Sequence, residues 1–144
     1  MKKEDLCKIL RGRRAQMVVT MAVVIAWGLV SKRYSGPGRF WVNNSFAGVF
    51  YEIFWCLFFS FWLPKARPWV IALWVLGVTC GLEVSQLWHP AFLRPVRANF
   101  WGAALIGTTF VGSDFFYYVV GCGIGLLWST LFKKSENDSS GKAK

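Results

Sequence analysis

The chain has 144 residues, a length suited to one domain, of which 55% are hydrophobic, 18% aromatic and only 17% charged. An ordinary globular domain carries roughly 25% charged residues, so this chain lacks the polar groups needed to cover a soluble fold. Long apolar runs between short basic segments place it in a bilayer; they exclude a soluble enzyme domain, a disordered chain and a secreted disulfide scaffold.

Seventeen Lys+Arg against seven Asp+Glu give a formal net charge of +10. In a soluble protein that excess would suggest nucleic acid. Here the basic residues sit at the ends of apolar runs: Lys2, Lys3, Lys8, Arg11, Arg13 and Arg14 before the first, Lys133 and Lys134 after the last. That pattern orients a membrane protein. No RNA-recognition motif, zinc finger or basic zipper is present, and no nucleic-acid partner is expected. Cys56, Cys80 and Cys122 lie inside apolar runs, Cys7 lies in the basic tail, and the lone His89 has no cysteine at ligand spacing. No metal, cofactor or disulfide is expected.

In chain order, residues 1–14 read as a basic cytoplasmic tail, 15–132 as one transmembrane helical domain and 133–144 as a polar disordered tail. The first span runs from Ala15 to Ser31 without a charge. It lacks a small-x-small cleavage site and meets Lys32-Arg33 directly, so it reads as uncleaved. Gly36-Pro37-Gly38 marks a turn. The second run, Phe40 to Pro64, has Glu52 as its single charge, and Pro64-Lys65-Ala66-Arg67-Pro68 turns into the third, Trp69 to Trp88, interrupted only by Glu83. Pro90 and Pro95 bracket a loop with Arg94 and Arg97, and His89 reads as a cap at the end of helix three. The last run is Phe115 to Phe132, headed by Asp114.

Between them, Ala98 to Val111 is uncharged but short, with Gly102 and Gly107 in it, and only Gly112-Ser113 before Asp114. A full antiparallel pair needs more length, so this segment reads as a re-entrant or half-helix. Four spans put 12 Lys/Arg on the side of both termini and five on the other; a fifth span would leave eight against nine. Both termini are therefore expected in the cytoplasm. The predicted fold is all-α: four transmembrane helices plus the half-helix between helices three and four.

The residues that could carry chemistry are the intramembrane acids Glu52, Glu83 and Asp114. A helix-centre acid costs roughly 2.5–3.5 kcal/mol on insertion scales, so each needs a partner or a wet cavity. Helical spacing puts Gly48, Tyr51, Glu52 and Trp55 on one face, Glu83, Gln86 and Leu87 on another, and Asp114, Tyr117, Tyr118, Gly121 and Gly125 on a third. Glu83, Gln86, Arg97 and Asp114 are expected near the outer face, with Arg97 paired to Asp114 or Glu83. Glu52 lies nearer mid-membrane with no basic residue on its helix; it is a functional candidate or a protonated acid hydrogen-bonded to a neighbouring helix. Gly121 with Gly125, and Gly77 with Gly81, fit small-xxx-small helix packing, with Gly48 a further packing glycine.

The strings Gly48-Val49-Phe50-Tyr51-Glu52-Ile53-Phe54-Trp55 and Leu82-Glu83-Val84-Ser85-Gln86-Leu87-Trp88-His89-Pro90, followed by Arg97, Gly102, Gly107, Phe110, Asp114, Tyr118 and Gly121, resemble the domain of unknown function 2809 family. These are small bacterial multi-pass membrane proteins distantly similar to VanZ-like proteins, and the aromatic-rich form here resembles cyanobacterial members. Ser113 and Asn99 depart from the family's usual aromatic and threonine. The resemblance implies Glu83, Gln86, Arg97 and Asp114 at signature positions, in a bacterial plasma or thylakoid membrane, and supplies no reaction.

Three readings follow. The first is a non-enzymatic accessory or lipid-interacting membrane protein whose polar cluster is an internal lock. The second is VanZ-like handling of a small amphiphile or lipid headgroup in an outward-facing polar cavity. The third is a membrane-embedded enzyme using Glu52 or Glu83 as a base, for which no nucleophile or metal set is present. The first is preferred. The expected partner is the lipid bilayer, with a membrane-protein partner or homo-oligomer left open.

Overall fold

The computed structural model describes residues 12–88, 91–106 and 110–141. The basic residues and Cys7 of the amino-terminal tail before residue 12, His89, Gly107 and residues 142–144 lie outside the described residues.

Four helices are long and apolar enough to cross a membrane. Helix α1 is Arg13–Arg33. After a turn in which Gly38 takes φ +72°, a left-handed conformation suited to glycine, helix α2 runs through Arg39–Trp41, a π-helical turn Val42–Phe46 and the regular stretch Ala47–Trp62. Helix α3 is Pro68–Trp88, with proline in its first position, where a missing N–H costs nothing. A 3-10 turn Ala91–Leu93 leads to the short α4, Arg94–Arg97, and the two-turn α5, Phe100–Ile106. Helix α6 is Asp114–Gly141. No strand is found among the described residues.

Helices α2 and α6 form the central pair; α1 packs mainly on α2, and α3 on α6 and α2. Met17, Met21 and Val24 of α1 interdigitate with Val49, Ile53 and Leu57 of α2 at helical spacing. Cys56, Ile71, Ala72, Val75 and Cys122 fill the α2–α3–α6 seam. The outer surface is apolar: Val23, Trp27, Val30, Trp62, Leu73, Trp74 and Phe116 are all at least half exposed. Polar side chains are inside instead, including Ser45, Glu52, Thr79, Glu83, Gln86, Asp114 and Ser129. Among the residues whose side chains are described, every acid is buried. Apolar-out with polar-in is the partition of a bundle solvated by lipid.

Two local expectations are revised. The tail expected to be disordered continues α6 as far as Gly141. Once a helix is nucleated, each added residue gains a backbone hydrogen bond, and Lys133 Nζ ties the exit to the Ala66 carbonyl at 3.3 Å. Gly77 and Gly81 are exposed, and a Cβ at either would meet nothing within 4 Å, so this pair does not pack against another described helix. Glycine spacing alone does not specify which helix face turns inward. The segment 98–111 holds the two-turn helix α5 followed by residues outside the description, with a turn at 112–113 before α6.

Candidate functional site

The inward stripes of α2, α3 and α6 change character along their length. On α3, Ile71, Ala72 and Val75 are followed on the same face by Thr79, Glu83 and Gln86, all buried. On α6, buried Asp114 and Tyr118 precede Cys122 and Ser129. Because the helices alternate in direction, the polar end of α3 and the start of α6 meet at one end of the bundle, beside the start of α2.

Glu83 is the hub there, 2% exposed. Its Oε1 accepts the Val111 backbone N–H at 2.8 Å. Its Oε2 accepts the Tyr118 hydroxyl at 2.7 Å and the Gln86 amide at 3.1 Å. The same Gln86 amide nitrogen donates to the Ile106 carbonyl at 3.1 Å. Tyr51, on the opposite wall, donates its hydroxyl to the Leu105 carbonyl at 2.8 Å. The end of α5 and the strand of chain leading into α6 are thus fastened to α2, α3 and α6 by side chains, where no regular helix ladder could satisfy them.

Asp114 opens α6, where the helix N-terminus favours a negative group. Its Oδ1 accepts the Ser45 hydroxyl at 2.6 Å. Ser45 lies in the π-helical turn of α2, which adds one residue to the turn at a polar contact, as such bulges commonly do. Beside it, Trp41 Nε1 donates to the Tyr117 hydroxyl at 2.7 Å.

Glu52 sits apart, one to two turns farther along α2 and fully buried. Its Oε2 accepts the Cys122 thiol at 3.0 Å, while Oε1 has no partner. Helix α6 comes this close because Gly121 and Gly125 face α2. A Cβ on Gly121 would lie 2.7 Å from both Glu52 Cβ and the Val49 carbonyl, and one on Gly125 would lie 2.6 Å from Cys56 Cβ. Gly48 faces the Tyr118 ring, at 3.0 Å from a hypothetical Cβ.

Arg97 does not enter this cluster as an ion pair. It lies half-buried in α4 with Nε and Nη2 lacking hydrogen-bond partners. The Glu83 oxygens are hydrogen-bonded by neutral donors instead. Lys32, at the end of α1, is a cation near enough to Asp114 and Glu83 to interact with both at longer range. The structure therefore brings together Glu83, Gln86 and Tyr118, adds Tyr51 through α5, and leaves Glu52 and Arg97 outside that network.

Four contributors have a weak sequence signal. Ser45 belongs to Asn43-Asn44-Ser45, a polar triplet inside an apolar run. Cys122 looks like a small hydrophobe, Lys32 like a topology signal, and the Val111 amide has no side-chain signature. Among the described residues no group of three His, Cys, Asp or Glu could hold a metal ion.

A cavity of about 300 Å³ lies against the hub, with Lys32, Asn44, Tyr51, Glu83, Gln86 and Tyr118 among its lining residues. No curated protein and no solved structure matches the chain. A family model matches residues 38–122, a stretch containing the π-helical turn, all three acids and Cys122. The chain belongs to the family described as protein of unknown function (DUF2809).

Proposed function

We propose that this is a non-enzymatic, lipid-interacting integral membrane protein in which the Glu83 network is an internal lock. The observation that supports this reading is the convergence of three donors on the two oxygens of Glu83, from Gln86 on its own helix, Val111 before α6 and Tyr118 on α6. With Val111, Gln86 and Tyr118 all donating to it, the Glu83 carboxyl is engaged as an acceptor within the chain itself. The lock holds α5 as a half-helix against the bundle and so shapes the wall of the adjoining cavity. A second reading, an amphiphile or lipid headgroup held in that cavity, is favoured by its mixed lining of Lys32, Asn44 and aromatic side chains.

Tyr118→Phe tests the lock while keeping the ring. It should destabilise the protein by about 0.6–1.7 kcal/mol, from the average to the maximum for polar contacts between membrane helices, read as unfolding in a mild detergent. Unchanged stability would remove Tyr118 from the lock. With both termini on the cytoplasmic side, as the basic-residue bias favours, a carboxyl-terminal phosphatase fusion should be inactive and a fluorescent-protein fusion bright. The opposite pair of signals would reverse the orientation.

A further inference from the structure

A second cavity, of about 690 Å³, adjoins the one at the hub. Tyr51, Trp55, Thr79, Leu82, Leu105 and Ile106 line both. Both volumes fall in the range of small-molecule sites, roughly 300–1,000 Å³. Polarity changes from one to the other. The hub cavity has Lys32, Asn44, Glu83 and Gln86 in its wall, whereas the second is walled by Trp55, Phe59, Leu63, Val70 and Trp74.

The two chemistries also sit at different depths. Lys32 is the penultimate residue of α1 and Asn44 lies near the start of α2, so the polar end is at the helix ends, where headgroups reside. The apolar cavity follows α2 from Tyr51 to Leu63, roughly 18 Å at 1.5 Å per residue. That is close to the depth of one leaflet in a core roughly 30 Å thick.

The charge at the polar end is equally specific. Among the described residues Lys32 is the one cation lining either cavity. It is exposed and makes no close ion pair with a described acid, Asp114 and Glu83 acting on it only at longer range. The Glu83 oxygens beside it are occupied by Tyr118, Gln86 and Val111.

We propose that the two cavities together hold one acyl-chain amphiphile with an anionic head. The head lies against Lys32 and Asn44, and the chain runs along Trp55, Phe59 and Trp74. This rests on the lipid-interacting reading above and names its ligand class. The residues of the lock shape the site without supplying its charge selectivity.

The test uses the full chain purified in a neutral detergent and titrated with oleoyl lysophosphatidylglycerol or oleoyl lysophosphatidylcholine, bound lipid being counted by native mass spectrometry. One equivalent of the anionic lipid should bind about fivefold more tightly than the zwitterionic one, the worth of one lysine near a headgroup. Lys32→Gln should abolish that preference without weakening the zwitterionic lipid. Val78→Trp, on an exposed residue lining the apolar cavity, should weaken both lipids. Failure of the folded protein to bind either lipid, equal affinity for both, or a preference that survives Lys32→Gln would each overturn the proposal. Should these fail while Tyr118→Phe destabilises as stated, only the ligand falls. Should Tyr118→Phe be inert while the preference depends on Lys32, only the lock falls.

Discussion

Replacing Glu83 with alanine is expected to lower the unfolding free energy by about 2–4 kcal/mol. Interhelical hydrogen bonds in membrane proteins average roughly 0.6 kcal/mol, so losing the two to Tyr118 and Val111 contributes about 1 kcal/mol. The remainder comes from the void left by a side chain that is 2% exposed and from the Val111 N–H and Tyr118 hydroxyl left without acceptors. Glu83→Gln should fall between, because the amide keeps one acceptor oxygen and turns an NH2 toward a donor. Denaturant titration in detergent ranks the three proteins. A Glu83→Ala protein as stable as the parent would show that the hub carries no stability.

The second large effect separates two glycine pairs that look alike in sequence. Gly121→Val should destabilise severely, by about 3 kcal/mol or more, because its Cβ alone would press on Glu52 Cβ and the Val49 carbonyl at 2.7 Å. Backbone cannot step aside as a flexible side-chain end can. Gly77→Val places its side chain in open space and should stay within about 0.5 kcal/mol of the parent, as for other surface changes. Comparing folded yield and melting temperature of the two variants checks this directly. Equal damage from both would mean that the exposed face of α3 is covered in the assembled protein.

Much of the fold was legible because lipid imposes a simple rule on composition. The four apolar runs correspond to four helices of spanning length, and the turns at 36–38 and 64–68 fall where glycine and proline sit. The three acids could be singled out because Glu52 and Glu83 each interrupt an otherwise uncharged run and Asp114 heads another. Their pairing was less legible. Charge arithmetic favoured Arg97 as the partner of Glu83 or Asp114, yet the oxygens are filled by a tyrosine, an amide, a serine and a backbone N–H. Neutral donors satisfy a buried carboxyl without bringing a second charge out of water, a cost that often exceeds the gain of pairing. Spacing likewise put Gly77–Gly81 and Gly121–Gly125 on equal terms. Which pair faces inward depends on the neighbours three and four residues before: buried Tyr118 and Cys122 stand three residues before Gly121 and Gly125, whereas exposed Leu73 and Trp74 stand four and three before Gly77. The continuation of α6 into a polar tail followed from helix propagation rather than from hydropathy.

Hydrogen exchange at the 110–114 segment, compared between the parent and Glu83→Ala in the same detergent, tests the lock most directly. The Val111 N–H is held by Glu83 Oε1 at 2.8 Å, so its exchange should be slow in the parent and fast in the variant. The central stretches of α2 and α6 should remain protected in both. Equally fast exchange at Val111 in the parent, or equal protection in the two proteins, would contradict a lock built on Glu83.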